Sequence, residues 1–252
     1  MPVPLRRSPT PLVLQTGGLV WRGGGEEVAA PAGLSVSSGI PALDAALQLG
    51  GLPIGGVTEI RSRPGLGGLS LAMAACVAAL RRGAARCAVV DGSGTLHAPA
   101  VLEAGVRPGC LWCVQPRQPQ DAALVALRLV RSGAFPVVVV DQSPAAPAQP
   151  ELAVRRLSVA AGEGGTAVIL LTGPWAFQVP LPMPAALRLQ LQRSARHRLV
   201  VEVEKQRGAA AGAQVVLSWP LSVGRARQVP VVPVPASARR RASRPRRMGS
   251  PG

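Results

Sequence analysis

The feature that most constrains the fold is a series of short, uninterrupted apolar segments separated by helical patterns between residues 34 and 222. Strands buried on both faces have this composition, and they occur in parallel sheets with helical crossovers. The predicted strands are Val57–Ile60, Cys87–Asp91, Leu111–Val114, Val137–Asp141 and Ala167–Leu171. The predicted helices are Leu69–Arg82, Ala98–Ala104, Asp121–Ser132 and Leu152–Ala161. These elements predict an α/β fold with a mostly parallel central sheet flanked by helices.

The pattern changes after Gly173, where apolar and polar residues begin to alternate. Alternation with a period of two is typical of strands that expose one face. The segments that show it are Leu187–Leu191, Leu199–Lys205 and Gln214–Trp219. We expect antiparallel strands added to the sheet edge at the C-terminal end, with a hairpin at Gly208–Gly212.

Two further expectations concern buried side chains. In the helix predicted at Asp121–Ser132, we expect Leu124, Leu127 and Val130 to lie close to one face. Four scattered cysteines in a chain of this length do not form a disulfide framework, so reduced, buried thiols are predicted. These cysteines are Cys76, Cys87, Cys110 and Cys113.

The two ends of the chain differ from its centre in composition. Residues 1–33 are rich in proline and glycine and predict a flexible arm, whereas residues 34–222 predict the folded core. Residues 223–252 hold eight arginines and no acid, which predicts a disordered tail. No apolar run reaches the about 18 residues that a membrane-spanning helix needs, so we expect a cytoplasmic protein without membrane contact.

The formal net charge of +16 suggests an anionic partner, and nucleic acid is the first candidate. Arginine supplies almost all of this charge, because Lys205 is the only lysine. The strongest candidates for contacting DNA are tail residues: Arg239, Arg240, Arg241, Arg244, Arg246 and Arg247. A tail that only keeps the chain soluble is the alternative.

A glycine-rich turn follows the first long strand and precedes a helix, which is where a nucleotide-binding domain places its phosphate-binding loop. A working loop has the pattern G-x-x-x-x-G-K-[ST], in which lysine neutralises phosphate charge and the hydroxyl holds Mg²⁺. Here Ser62 replaces the first glycine and Gly67 keeps the second. Gly68 replaces the lysine and Leu69 the hydroxyl, while Ser70 lies one residue late. We therefore predict a vestigial loop that hydrolyses no ATP.

The segments that lead into this loop resemble the ATPase core of the RecA family. Residues 34–44 (LSVSSGIPALD) and 50–60 (GGLPIGGVTEI) match its "T/S-G-x-x-x-L-D" and "G-G-L-P-x-G-x-x-x-E-I" segments in order and spacing. The resemblance continues more weakly to about Trp219. It implies a RecA-like P-loop NTPase fold, with the RecA C-terminal domain replaced by the arginine tail.

The resemblance also implies roles for single residues. Asp141 occupies the position of the acid associated with Mg²⁺, and Ser93 that of the catalytic glutamate. Thr172 and Gly173 take the place of a glutamine that senses the γ-phosphate. Lys205 and Arg207 resemble paired basic residues that reach a neighbouring subunit's nucleotide, which makes them candidates for a partner interface. Apart from Asp141, the residues that act on the nucleotide in that family are therefore replaced, and no catalytic residue, metal or cofactor is expected.

Several other segments are similar to the ImuA family, RecA-like proteins of bacterial mutagenesis cassettes. They are residues 63–71 (RPGLGGLSL), 131–134 (RSGA), 184–189 (PAALRL) and 201–208 (VEVEKQRG). This resemblance implies a role in the DNA damage (SOS) response and in translesion synthesis. The implied partners are an ImuB-type relative of Y-family polymerases, an error-prone replicative-type polymerase, RecA and DNA.

Three functions remain open at this point. The first is a non-catalytic adaptor that joins a translesion polymerase assembly. The second is an active RecA-like, DNA-dependent ATPase that uses Ser70 and Asp141 on Mg²⁺ and Arg63 on the phosphates. The third is a cell-division inhibitor of the SulA type.

Overall fold

The computed structural model describes residues 34–178, 185–195, 197–208, 210–218 and 220–221, together with two short strands before them. The strands are β1 (Val13–Thr16), β2 (Leu19–Arg22), β3 (Ser35–Val36), β4 (Leu52–Pro53), β5 (Gly56–Arg61), β6 (Cys87–Asp91), β7 (Leu111–Val114), β8 (Val137–Gln142), β9 (Ala167–Thr172), β10 (Leu187–Ala195), β11 (Arg198–Gln206) and β12 (Gln214–Ser218). The helices are α1 (Pro41–Ala46), α2 (Gly68–Arg81), α3 (Ala98–Glu103), α4 (Ala122–Arg131), α5 (Pro150–Gly164) and α6 (Trp175–Gln178).

An eight-stranded sheet forms the centre of the fold, in the order β12-β11-β10-β5-β9-β8-β6-β7. The strands from β5 to β7 in that order are parallel to one another. All five parallel strands that the sequence predicts are present within one residue of their predicted ends. The prediction of an α/β fold with a mostly parallel sheet is confirmed.

The prediction of antiparallel strands at the C-terminal end is confirmed, and one pairing that the sequence did not predict adds to it. β11 is antiparallel to both β10 and β12, as expected. β10, however, joins the sheet parallel to β5, with Leu187 opposite Thr58. The alternation of β10 reports an exposed face but not a strand direction, so the sequence could not distinguish the two pairings.

The valine-rich strands divide the core into two layers, one on each face of the sheet. In β8, Val137 and Val139 pack in the cluster that contains α2 residues, whereas Val138 and Val140 pack in the cluster that contains α4 and α5 residues. All four valines are fully buried. Burial of each such side chain contributes roughly 1.5 to 3 kcal/mol, so uninterrupted apolar strands are stable only between two helical layers.

The buried face of α4 differs in part from the predicted face. Leu127 and Val130 are buried, but Leu124 is half exposed. Ala123 and Ala126 complete the buried stripe. This stripe has the spacing i, i+3, i+4 and i+7, and Leu124 lies at its exposed margin.

The predicted flexible arm contains β1 and β2, which pair antiparallel in a separate two-stranded sheet. Sequence reasoning placed no strand there. The predicted tail, residues 223–252, lies outside the described residues. Among the helices that the structure describes, none is long and apolar enough to cross a membrane.

The cysteines are free, but they are not all buried as predicted. Cys76 and Cys87 are buried, Cys110 is partly buried and Cys113 is exposed. Cys113 lies on β7, the last strand of the sheet, and no other strand in the described part of the chain pairs with its outer edge. Hydrogen bonding with Cys87 and complete burial raise the pKa of the Cys76 thiol well above its ordinary value.

Alkylation of the native chain is expected to modify Cys113 first. The thiolate is the reactive form. Burial makes Cys76 and Cys87 inaccessible, and the raised pKa keeps the Cys76 thiol protonated. Partial burial also raises the pKa of the Cys113 thiol, so its exposure to solvent is what makes it react before the buried thiols. Mass spectrometry after iodoacetamide treatment checks this order, with unfolded chain as the control in which all four cysteines react. Equal labelling of Cys76 and Cys113 in the native chain would contradict the packing described above.

Candidate functional site

The candidate site lies at the carboxyl ends of the parallel strands, where α/β folds bind ligands. The backbones of three loops lie in close contact there. A Cβ on Gly92, after β6, would lie 2.1 Å from the Asp141 carbonyl oxygen. A Cβ on Gly173, after β9, would lie 2.1 Å from the Ser143 carbonyl oxygen. Glycine is therefore required at both positions, and this edge of the sheet is tightly closed.

The glycine-rich loop at the phosphate-loop position connects β5 to α2. The Ser62 amide donates a hydrogen bond of 3.2 Å to the Thr172 carbonyl, which ties the start of the loop to β9. Gly65 and Gly67 have φ values of 77° and 89°. Gly67 is the N-cap of α2, and its carbonyl accepts the amide of Leu71 at 2.9 Å. The local backbone is thus a strand–turn–helix, as the sequence predicts.

The side chains of this loop do not fit the Mg²⁺ and ATP that the fold family implies. A Cβ on Gly68, the lysine position, would lie 2.7 Å from Ser62 Oγ. The Ser62 hydroxyl therefore occupies space next to the position where a lysine side chain would begin. Leu69 packs against the apolar core, where a working loop presents a hydroxyl to the metal. The two replacements at positions 62 and 68 are packed against each other.

Asp91 and Asp141 lie side by side, because they are partners in the register of β6 and β8. Both carboxylates cap the turns that follow their strands. Asp91 accepts the amides of Thr95 and Leu96 at 3.2 and 3.0 Å. Asp141 accepts the amide and the hydroxyl of Ser143 at 3.0 and 2.5 Å. Both acids therefore stabilise the loops that follow β6 and β8.

The remaining positions implied by the resemblance hold hydroxyl groups. Ser93, at the glutamate position, donates to Asp91 Oδ1 at 3.2 Å. Thr172, at the glutamine position, donates its hydroxyl to Glu59 Oε1 at 3.2 Å. Within the described ranges, no group of three or more His, Cys, Asp or Glu side chains could hold a metal ion. Serine and threonine supply no general base at these positions.

A buried ionic cluster lies directly before the loop. We define it as Glu59, Arg61, Arg188 and Glu204. The Glu59 carboxylate, fully buried, accepts Arg61 Nε at 3.0 Å and Arg188 Nε at 2.6 Å. Arg61 Nη1 lies 3.4 Å from Glu204 Oε2, at the partly exposed margin. Arg61 Nη2 is buried and has no hydrogen-bond partner among the described residues.

Lys205 and Arg207, the predicted interface pair, lie beside this cluster and not at the phosphate loop. Lys205 is opposite Arg188, which is in turn opposite Glu59. Burial, and then the charges of Arg188 and Arg207, lower the pKa of Lys205, while Glu59 offsets part of this effect. Arg207 is exposed, and its amide donates to the Ala186 carbonyl at 2.9 Å.

The predicted DNA-contacting arginines, from Arg239 to Arg247, lie outside the described residues. Sequence reasoning did not find the ionic cluster or the contact between positions 62 and 68. A signal for the cluster existed, since Glu59 and Arg61 are charges of opposite sign two residues apart in an apolar strand. The loop contact had no signal, because only the three-dimensional turn brings Ser62 and Gly68 together.

Comparisons with known proteins agree with this geometry. The family "RecA N-terminal domain" matches residues 18–158. The chain is 39% identical over 107 residues to "Protein RecA" of Anaplasma marginale (strain Florida), which covers 42% of this chain and 30% of that protein. It is 32% identical over 154 residues to "Protein RecA" of Deinococcus radiodurans, and this match covers 54% of this chain and 42% of that protein. It is 40% identical over 125 residues to "Protein RecA" of Teredinibacter turnerae, and this match covers 49% of this chain and 35% of that protein. The chain thus spans well under half the length of these curated relatives.

Proposed function

Because the chain belongs to the RecA N-terminal domain family, we propose that it is a RecA-like accessory protein that hydrolyses no ATP. It acts in the cytoplasm, in the response to DNA damage and in error-prone translesion synthesis. It works through contacts with protein partners and with DNA. The family supplies the fold, and the altered loop supports a non-catalytic role.

The observation that carries this proposal is the packing of the phosphate loop. Ser62 Oγ lies 2.7 Å from the position of a Cβ at residue 68, and Leu69 is directed into the core. A working loop needs a lysine and a hydroxyl at these positions. Loss of one oriented group in an active site costs on the order of 3 kcal/mol of transition-state stabilisation, and this loop lacks two such groups.

The finer assignment, to the ImuA family, rests on the resemblance of residues 63–71 and 201–208 to that family. It supplies the proposed partners: an ImuB-type relative of Y-family polymerases, an error-prone replicative-type polymerase and RecA itself. Residues 201–208 cover most of β11, which carries Lys205 and ends next to Arg207. We place a protein interface there, and a DNA contact on the arginines from Arg239 to Arg247.

Affinity purification of the tagged, full-length chain from DNA-damaged cells tests this function. We expect the polymerase relative and the error-prone polymerase to co-purify. The variant R207A is expected to recover less of them, because Arg207 is exposed beside the proposed interface. R198A is the matched control, since Arg198 is exposed at the other end of β11. Recovery of no polymerase component from damaged cells would refute the accessory role.

Rebuilding the loop is expected to create ATP binding that the natural chain lacks. The triple variant S62G/G68K/L69T restores the pattern G-x-x-x-x-G-K-T and removes the serine from the path of the new side chain. We expect it to give saturable Mg²⁺-ATP binding at concentrations where the natural chain gives none, since a charge-assisted contact from a lysine stabilises the bound phosphates. G68K alone is expected to gain less. Calorimetry checks the order, and equal ATP affinity in all three chains would contradict the packing argument.

A further inference from the structure

We propose that the folded core carries a surface for the phosphate backbone of nucleic acid at the amino ends of β6 and β7. The choice of DNA as the partner rests on the proposed function. The new element is a DNA contact on the folded core, outside the arginine tail. We call this surface the basic corner and define it by five arginines. They are Arg81, Arg82, Arg86, Arg107 and Arg131.

Short contacts bring the segments of the basic corner together. An ideal Cβ on Gly105 would lie 3.7 Å from Arg81 Nη2, so the end of α2 reaches the turn that carries Arg107. The Cys110 amide donates to the Arg107 carbonyl at 3.1 Å, and the Cys87 amide donates to the Cys110 carbonyl at 2.8 Å. The start of β6 therefore lies against the same turn.

Two aromatic rings lie on the other side of the basic corner. The guanidinium carbon of Arg86 lies 5.8 Å from the centroid of the Trp112 ring. Trp112 in turn packs edge-on against Phe135, with centroids 5.3 Å apart. Phe135 follows Arg131, the last residue of α4, by four positions. The tryptophan holds Arg86 in a fixed place, which reduces the entropy lost on binding an anion.

The charge of this region is predominantly positive, with exposed acids at Glu103 and at Glu163, which precedes the residue that lies against Val130. The segments 68–90, 98–114 and 122–138 contain six arginines and a single acid, Glu103. Arg81, Arg82, Arg107 and Arg131 are exposed. Arginines in the last turn of a helix complement its dipole, which accounts for Arg81 and Arg131. That explanation does not extend to Arg86 and Arg107, which lie in connections between elements.

Nucleic acid fits this surface better than an acidic peptide. A peptide that paired with the open edge of β7 would run along Leu111–Val114, away from the arginines at the strand's amino end. A phosphate backbone instead offers charges at regular spacing to arginines that come from several elements. The corner lies at the end of the strands opposite the phosphate loop, so the two surfaces are separate.

Binding of labelled duplex and single-stranded DNA to the full-length chain tests the basic corner. The variant R82Q/R107Q/R131Q removes three exposed charges and leaves Arg86 on Trp112. We expect its affinity for duplex DNA to fall at least about tenfold at low salt. The log–log slope of affinity against salt is expected to become shallower by about 2 to 3, because each phosphate contact contributes about 0.9.

R155Q/R156Q/R193Q is the matched control, because it removes three exposed arginines that lie elsewhere in the fold. Equal DNA affinity in the corner variant and the control, both below that of the natural chain, would overturn the basic corner while leaving DNA binding intact. Absence of DNA binding by the natural chain would overturn both this surface and the proposed DNA contact. A loss of binding to polyglutamate but not to DNA would assign the corner to an acidic protein partner and overturn the nucleic-acid assignment.

A second set of variants distinguishes the contribution of the tail to DNA binding from that of the basic corner. R239Q/R240Q/R241Q/R244Q/R246Q/R247Q removes the tail arginines that we propose for DNA contact. The corner substitutions are expected to lower DNA affinity in that background as well. If they have no further effect there, the tail accounts for the binding and the basic corner is refuted.

Discussion

Replacing Glu59 with alanine is expected to lower the free energy of unfolding by about 3 to 5 kcal/mol. The carboxylate is fully buried and accepts both Arg61 and Arg188, whose side chains are only 8% and 12% exposed. Removal of this carboxylate leaves the guanidinium groups of Arg61 and Arg188 in the sheet with much less negative charge beside them. Arg61 Nη2 already has no hydrogen-bond partner among the described residues, and the charge contact that Arg61 keeps is the 3.4 Å contact with Glu204 at the exposed margin. Urea denaturation of the natural chain and E59A measures the difference.

E204A is the matched control for E59A. Glu204 belongs to the same ionic cluster, but its side chain is 26% exposed and its contact with Arg61 is 3.4 Å long. Exposed or marginal ion pairs contribute about 0 to 1 kcal/mol, so we expect E204A to lose no more than that. Equal losses in the two variants would show that burial of Glu59 does not determine the stability of the cluster.

Replacing Gly39 with alanine is expected to lower the free energy of unfolding by roughly 2 to 5 kcal/mol. Gly39 has a φ of 77°, and a Cβ there would lie 2.4 Å from the carbonyl oxygen of Ala74 in α2. The alanine therefore carries both backbone strain and a clash with a helix that cannot shift cheaply. Thermal or urea unfolding measures the loss.

G50A separates the two contributions. Gly50 also has a positive φ, 65°, but no described atom lies within 4 Å of a Cβ at that position. We expect only the conformational cost there, about 1 to 2 kcal/mol. A loss in G39A no larger than that in G50A would contradict the close approach of the segment before α1 to α2.

The segment around Gly39 shows why the sequence predicted so much of the fold. Asp44 accepts the Ser37 hydroxyl at 2.5 Å and the Ser38 amide at 2.8 Å, which fixes the turn that Gly39 completes. Spacing of serine, glycine and aspartate is visible in the sequence because their contacts are local. The parallel strands were equally visible, since burial on both faces demands uninterrupted apolar residues.

The features that the sequence did not predict share a different cause, which is dependence on contacts distant in sequence. The direction of β10 is set by its pairing with β5, and a period of two does not report it. Leu124 is half exposed because alanines on α4 meet the sheet, and Cys113 is exposed because β7 is an edge strand. Each of these features depends on which element lies next to which.

The candidate site was predicted in its residues but not in its packing. The sequence shows that Gly68 and Leu69 stand where lysine and a hydroxyl residue are needed. It does not show that Ser62 lies against position 68 or that Asp91 and Asp141 cap their own turns. These contacts are the packing on which the proposed loss of ATP hydrolysis depends.

Titration calorimetry of the full-length chain with Mg²⁺-ATP, in the presence and absence of DNA, tests the central claim most directly. We expect no saturable heat at millimolar ATP, and no hydrolysis when DNA is added. Saturable, Mg²⁺-dependent binding with DNA-stimulated hydrolysis that S70A or D141N abolishes would contradict the account. That result would assign the chain to active ATPases that use other residues for the metal.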